Sequence, residues 1–224
     1  VLAVVASLGG GQAVWPQSGP PSSTGDVLLQ LRPRPGDLLR LRLDQKDAGV
    51  LTLAQLPARV KQAQAGDAMV PVVISAERSV KYEAVVKVMD VLQRAGLAVL
   101  WIDNQAGCKG VCERIPHVRA ADGRPSTHCS GDECFDEAML DGLDERIAAL
   151  DPQRTRRGVV LVMHQMGSHG PAYHLRSPAD RKRFLPECQS PALQDCSRQS
   201  VVNAYDNSIA YTDHFLAQAI GWLK

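Results

Sequence analysis

The sequence predicts an α/β fold with a mostly parallel sheet flanked by helices, and three observations lead there. Val70–Ser75 (VPVVIS) and Leu97–Ile102 (LAVLWI) are short, apolar and rich in β-branched residues, as strands are. Between them, Lys81–Ala95 sets Tyr82, Val85, Val86, Met89, Val91 and Leu92 on one face of a helix long enough to cross a sheet, the signature of a βαβ unit. Gly158–His164 (GVVLVMH) is apolar without alternation, the pattern of a central strand covered on both faces.

Taken in order, Val1–Leu8 is the longest apolar run, well short of the ~20 residues of a membrane-spanning helix. No complete signal peptide with a charged start is visible, so no transmembrane segment is expected in this chain. Residues 9–25 are rich in Gly, Pro, Ser and Gln, and read as a flexible leader that cannot offset its ordering entropy. Asp26–Leu43 alternates leucines with polar residues around Pro33 and Pro35, which suits two short strands joined by a turn. From Thr52, a good N-cap, the spacing of Leu53, Leu56, Val60 and Ala63 predicts a helix to about Gln64.

After the first βαβ unit, whose helix stops at Gly96, comes a polar loop, Asp103–Cys134, that bears four cysteines. Met139, Leu140, Leu143, Ile147 and Leu150 then predict one helix from about Phe135 to Leu150. The strand Gly158–His164 runs into Gln165–Pro171 (QMGSHGP). Open α/β sheets bind ligands beyond the carboxyl ends of their strands, so this loop is a candidate site on position alone. Ser200–Lys224 predicts a long helix, with Asn203, Asp206 and Asn207 on a polar face.

Lys plus Arg number 25 and Asp plus Glu 24, for a formal charge of +1, so no global field favours nucleic acid. An anionic ligand must be held locally. All six cysteines lie in the second half, in close pairs: Cys108 with Cys112, Cys129 with Cys134, Cys188 with Cys196. Three local disulfides and an oxidising compartment fit that arrangement, each closure stabilising by about 2–3 kcal/mol. Zinc is the competing reading, although none of the three spacings is the Cys-x-x-Cys knuckle of a zinc ribbon.

Four blocks, Trp101–Pro116 (WIDNQAGCKGVCERIP), Val160–Tyr173 (VLVMHQMGSHGPAY), Phe184–Cys196 (FLPECQSPALQDC) and Asn203–Asp213 (NAYDNSIAYTD), together resemble the lipid A phosphoethanolamine transferases of the alkaline phosphatase and sulfatase superfamily. The resemblance covers residues 97–224. It implies a sulfatase-like α/β domain, periplasmic and associated with the inner membrane. It further implies a zinc-activated threonine that takes phosphoethanolamine from phosphatidylethanolamine and passes it to lipid A. Lys109 and His169 match positions that contact the phosphoethanolamine, and Gln105 a polar position of the same pocket. A lysine suits a phosphate as a point charge.

The metal site of that family also takes an acidic residue and the threonine from before the Asp-Asn-Gln loop, and an Asp-His pair from beyond the last helix. No stretch of residues 1–96 resembles the nucleophile turn, and no Asp-His pair followed by Gly-Glu-Ser is found; Asp213-His214, inside the last predicted helix, is followed by Phe-Leu-Ala. No catalytic residue and no metal ligand is therefore assigned, and this polypeptide alone is expected neither to bind zinc tightly nor to turn over. Residues 52–96, above all Pro71–Gly96, resemble instead the periplasmic domain of the ExbD/TolR family. That implies an α+β module of a proton-driven inner-membrane transport complex as the alternative function, fused at Asp90–Gly96. Residues 1–51 resemble neither.

The remaining histidines have plainer readings. His164, at a strand end, reads as a satisfied core residue, and His214 as an exposed position on the last helix. His117, His128 and His174 with Asp132 or Glu133 have the chemistry of a metal site but no diagnostic spacing. Arg154–Arg157 (RTRR) reads as a solvated loop.

Overall fold

The chain, seen in a computed structural model, is described over residues 2–6, 27–31, 38–43, 46–63, 72–76, 82–108, 110, 112–131, 133–156 and 158–222. The expected leader over residues 9–25, together with Lys109, Asp132 and Arg157, lies outside them.

The elements in chain order begin with β1 (Leu2–Ala6), β2 (Val27–Leu31), β3 (Leu38–Leu43) and β4 (Lys46–Thr52). A 3-10 turn, Leu53–Gln55, leads into α1 (Leu56–Ala63), with the backbone N–H of Thr52 donating to Gln55 Oε1 at 2.9 Å. Then come β5 (Val72–Ala76), α2 (Tyr82–Arg94) and β6 (Ala98–Asp103). Gly96, at φ 91°, supplies the left-handed residue that ends α2. Two short pieces follow: β7 (His117–Arg119), and the hairpin of β8 (Cys129–Ser130) with β9 (Glu133–Cys134). The second half holds α3 (Leu143–Ala148), α4 (Pro152–Thr155), β10 (Val159–His164) and α5 (Arg198–Trp222).

Eight strands form one sheet in the order β4-β3-β2-β5-β1-β10-β6-β7. Within it, only the β2/β3 and β3/β4 pairings are antiparallel among the described residues; the other five are parallel. The sheet is mostly parallel, as the apolar runs predict. The expected βαβ unit differs in one respect. β5 and β6 are parallel members of the sheet but not neighbours, because β1 and β10 lie between them.

Strand alternation distributes β6 and β10 between two cores. Val99, Trp101, Val160 and Val162 pack with Leu56 and Val60 of α1 and Val88, Met89 and Leu92 of α2. Ala98, Leu100, Ile102, Val159, Leu161 and Met163 pack with Met139, Leu143, Phe215 and Ala219 on the opposite face. Every residue of both strands is buried, which is why neither shows an apolar–polar period. The packing of α1 and α2 on the same strands as the second half means that residues 52–96 are not set apart as a separate α+β portion.

The helix expected over Phe135–Leu150 is two pieces: a 3-10 turn, Asp136–Met139, and α3. Gly142 sits at φ +61° between them, a left-handed conformation that resets the helix axis while Met139, Leu143 and Leu150 still reach one core. Arg154 lies in α4 and not in a loop; there the Asp151 carboxylate caps by accepting from the N–H of Gln153 at 2.8 Å.

Candidate functional site

β6 and β10 end side by side, with His164 directly opposite Asp103 in the parallel register. Both loops that carry predicted residues therefore leave the sheet together at its carboxyl end. Asp103 is buried and fully engaged: Oδ2 accepts from Trp101 Nε1 at 3.1 Å and His164 Nδ1 at 3.2 Å, and Oδ1 from the backbone N–H of Gln105 at 2.7 Å. His164 is thus the satisfied core histidine its strand position suggests, tilted against Trp101 at 5.2 Å between ring centroids.

The two loops are joined directly. Asn104 donates its backbone N–H to His164 O at 2.9 Å, and Gln105 Nε2 donates to Gln165 O at 2.6 Å. Asp136 closes the arrangement from a third element, its Oδ1 accepting from Asn104 Nδ2 and the N–H of Met166, each at 2.8 Å. Its Oδ2 accepts from the N–H of Gly167 at 2.8 Å. Burial pushes the Asp136 carboxyl above its usual range; the donors from Asn104, Gly167 and Met166 and the charge of Arg176 oppose this without cancelling it.

His169 stands exposed on the Gln165–Pro171 loop, Nδ1 lying 2.9 Å from Gly170 O, while its carbonyl accepts from Arg176 Nε at 2.8 Å. Gln105 is half-buried on the facing loop. The structure thus brings the Gln105 and His169 loops together, and Lys109 lies outside the described residues. The cysteines form three disulfides, Cys108–Cys112, Cys129–Cys134 and Cys188–Cys196; the first follows Gln105 by three residues.

The polar face of α5 acts on the chain that follows the site loop. Asn207, with no exposed surface, accepts at Oδ1 from the N–H of Arg183 (2.8 Å) and Phe184 (2.9 Å). Its Nδ2 donates to Phe184 O at 2.9 Å and Glu187 Oε2 at 2.8 Å. Asn203 Nδ2 donates to Pro186 O at 2.8 Å. Lys182 is drawn inward onto Glu187 and onto His174 O. Burial, then the charges of Lys182 and Arg176, push the His174 imidazole below its ordinary value against the pull of Glu187, which holds it neutral at neutral pH.

His214 differs from its sequence reading. It is half-buried, and its Nε2 lies 3.1 Å from Glu137 Oε1. His117, His128 and His174 do not converge: His128 Nδ1 meets Asp141 Oδ2 at 3.2 Å, and His117 Nδ1 meets Ile115 O at 3.0 Å. Zinc, which the resemblance implies, finds no donor set among the described residues, since no group of three or more His, Cys, Asp or Glu side chains comes together and no cysteine is free.

The side chains that sequence reasoning passed over are Asp103, Asp136 and Arg176. Only Asp103 carried a signal, as the acid closing an apolar strand.

The sulfatase family matches residues 52–224. Phosphoethanolamine transferase EptA of Salmonella typhimurium is 40% identical over 136 residues, which cover 61% of this chain and 24% of that protein. Phosphatidylethanolamine transferase Mcr-1 of Escherichia coli is 40% identical over 143 residues, 61% of this chain and 26% of that protein. Among solved structures, the integral membrane protein lipooligosaccharide phosphoethanolamine transferase A (EptA) from Neisseria meningitidis matches with a TM-score of 0.53 at 35% identity, over 59% of this chain and 24% of that chain. The chain thus spans about a quarter of the length of the curated relatives it matches. Because the sulfatase match begins at residue 52 and runs through residues 52–96, the ExbD/TolR resemblance and the fusion at Asp90–Gly96 gain no support. Among the described residues no helix is long and apolar enough to cross a membrane.

Proposed function

Because the chain belongs to the sulfatase family and has phosphoethanolamine transferases among its relatives, we propose that residues 97–224 form part of a phosphoethanolamine transferase catalytic domain and hold the phosphoethanolamine group. The observation that supports this most is the bond from Gln105 Nε2 to Gln165 O at 2.6 Å, which couples the Asp103–Cys108 and Gln165–Pro171 loops at the carboxyl ends of two central strands.

In this reading His169 offers a ring nitrogen from the exposed loop to a phosphoryl oxygen, Lys109 supplies a compact positive charge, and the Gln105 amide orients the group. Asp103 and Asp136 position these loops and touch no ligand. The donor is phosphatidylethanolamine, the acceptor a lipid A phosphate, and the location the periplasmic side of the inner membrane. Zinc belongs to the family reaction; no residue of this chain is assigned to it, and none is assigned as nucleophile. The chain by itself then binds without transferring.

The test is calorimetric titration of the oxidised chain with O-phosphoethanolamine, beside a transfer assay with fluorescent phosphatidylethanolamine. Lys109→Ala and His169→Ala are each expected to weaken binding by roughly tenfold, the scale of one charge-assisted hydrogen bond. Wild-type protein that fails to bind, or variants that bind as wild type, would overturn the site. Stoichiometric zinc with transfer lost in both variants would show that this chain does hold a metal and a nucleophile.

A further inference from the structure

We propose that Arg181–Pro186 (RKRFLP) is a wedge that docks on a bilayer surface rich in anionic phosphate headgroups. Phe184 and Leu185 are adjacent in sequence and remain 41% and 67% exposed. Large apolar side chains held side by side in water mark an interaction surface more often than scattered ones do. Arg181 and Arg183 precede them, both exposed. Arg181 makes one long ion pair with its own neighbour, Asp180, at 3.8 Å; the Arg183 side chain has no ion pair or hydrogen bond among the described residues.

The backbone of this segment is fixed from behind. Asn207 takes the N–H of Arg183 and Phe184 and donates to Phe184 O, and Asn203 donates to Pro186 O. Lys182, between the two arginines, is turned inward onto Glu187. The inner side of the loop is thus consumed by internal bonds, and what remains outside is one aromatic, one aliphatic and two guanidinium groups. Presenting them on a fixed backbone removes much of the ordering entropy that docking of a loose loop would cost.

Charge selects the partner. Residues 176–187 hold Arg176, Arg181, Lys182 and Arg183 against Asp180 and Glu187, four cations less two anions or +2, in a chain whose total is +1. An apolar pair inserted at the headgroup level, with arginines beside it pairing with phosphates, is the arrangement that binds an anionic bilayer surface. The same segment is tied to the candidate site: Lys182 Nζ donates to His174 O and Arg176 Nε to His169 O. Docking would therefore orient the Gln165–Pro171 loop relative to the membrane, yet it uses neither Lys109 nor His169 and stands apart from ligand binding there.

The test is co-sedimentation of the full oxidised chain with vesicles of phosphatidylcholine containing phosphatidylglycerol, and with vesicles of phosphatidylcholine alone. Binding is expected only to the first. Arg181→Gln with Arg183→Gln, and separately Phe184→Ser with Leu185→Ser, are each expected to weaken it on the order of tenfold. Phe184→Trp, which keeps the wedge, is expected to bind and to add indole fluorescence that brominated phosphatidylglycerol quenches. Absence of binding by the wild type, unchanged binding by the serine variant, or added indole fluorescence that brominated lipid leaves untouched would overturn the proposal. So would wild-type dimerisation without vesicle binding that the serine variant abolishes, which would make a second copy of the chain the occupant.

Discussion

The hydroxyl of Tyr211 on α5 donates to Glu137 Oε2 at 2.7 Å, joining residues 74 positions apart beneath the sheet. Glu137 also accepts from Gln218 Nε2 at 2.5 Å and meets His214 Nε2 at 3.1 Å. Burial pushes its carboxyl up, but the hydrogen bonds from Tyr211 and Gln218 and the nearby His128 and His214 outweigh this and hold it below the ordinary value of 4.5. Burial and the Glu137 charge push the Tyr211 phenol well above its usual range, so it stays a donor at any ordinary pH. A carboxyl with a depressed folded-state pKa stabilises above its unfolded value and loses that contribution as pH falls through the folded one. Tyr211→Phe should therefore cost about 2 kcal/mol at neutral pH, the scale of a buried bond to a charged group. Its difference from wild type should shrink once the pH is taken well below the ordinary value of 4.5 and Glu137 takes up a proton. Urea denaturation of both proteins at the two pH values reads this directly, and an undiminished difference at low pH would remove Glu137 from the account.

Asn207 makes four hydrogen bonds to residues 183–187 with no part of it exposed. Asn207→Ala leaves two backbone N–H groups, one carbonyl and a carboxylate oxygen without that partner, which predicts a loss of about 2–4 kcal/mol. Asn207→Asp keeps the acceptor but sets a second carboxylate against Glu187, and should be no better. Hydrogen exchange should locate the damage: the amides of Arg183 and Phe184 exchange faster, whereas those of β6 and β10 change only by the global loss of stability.

The Cys188–Cys196 bond closes a short loop, with a sequence separation of 8, next to that clamp. Chain entropy then predicts that Cys188→Ala with Cys196→Ala costs about 2.5 kcal/mol. The N–H of Cys188 bonds to Ser200 O at 2.9 Å, so the loop start is also held by α5. Losses from this pair and from Asn207→Ala should therefore fail to add, as for residues that share a structural unit. A triple variant measured by urea denaturation checks that coupling.

Elements whose own residues specify them were readable. β6, β10, α2 and α5 fall within two residues of the apolar patterns that announce them, because an all-apolar strand and a one-faced helix each leave a local trace. The seat of β1 between β5 and β10 was not readable, since parallel pairing over such separations is decided by tertiary packing. Neither was the break at Gly142, because Met139, Leu143 and Leu150 have helical spacing whether or not the axis is reset between them. At the site, the loop after β10 and Gln105 were legible from position and resemblance. Asp136 was not, because two of its three donors are the backbone N–H groups of Met166 and Gly167, which have no side-chain signature. His214 looked exposed on a helix wheel, as its partner Glu137 lies 77 positions away.

Asp103 separates stability from site geometry, and its neighbours allow the two to be measured apart. Its Oδ2 serves Trp101 and His164, both in the core, while its Oδ1 holds the backbone N–H of Gln105 at 2.7 Å. Asp103→Asn offers one acceptor and one donor where three donors converge, so at least one N–H loses its partner. The expected cost is about 2–4 kcal/mol. Trp101→Phe removes the indole donor and some buried ring volume but leaves the Gln105 bond intact, so it should cost about 2–4 kcal/mol with O-phosphoethanolamine binding unchanged. Asp103→Asn, by freeing the Gln105 backbone, should weaken that binding as well, beyond what its lower stability explains at temperatures where both variants are fully folded. Calorimetric titration of the two variants beside urea denaturation makes the comparison. Equal affinities in Asp103→Asn and Trp101→Phe would mean that Gln105 is placed by its bond to Gln165 O alone, and that Asp103 belongs to the core and not to the site.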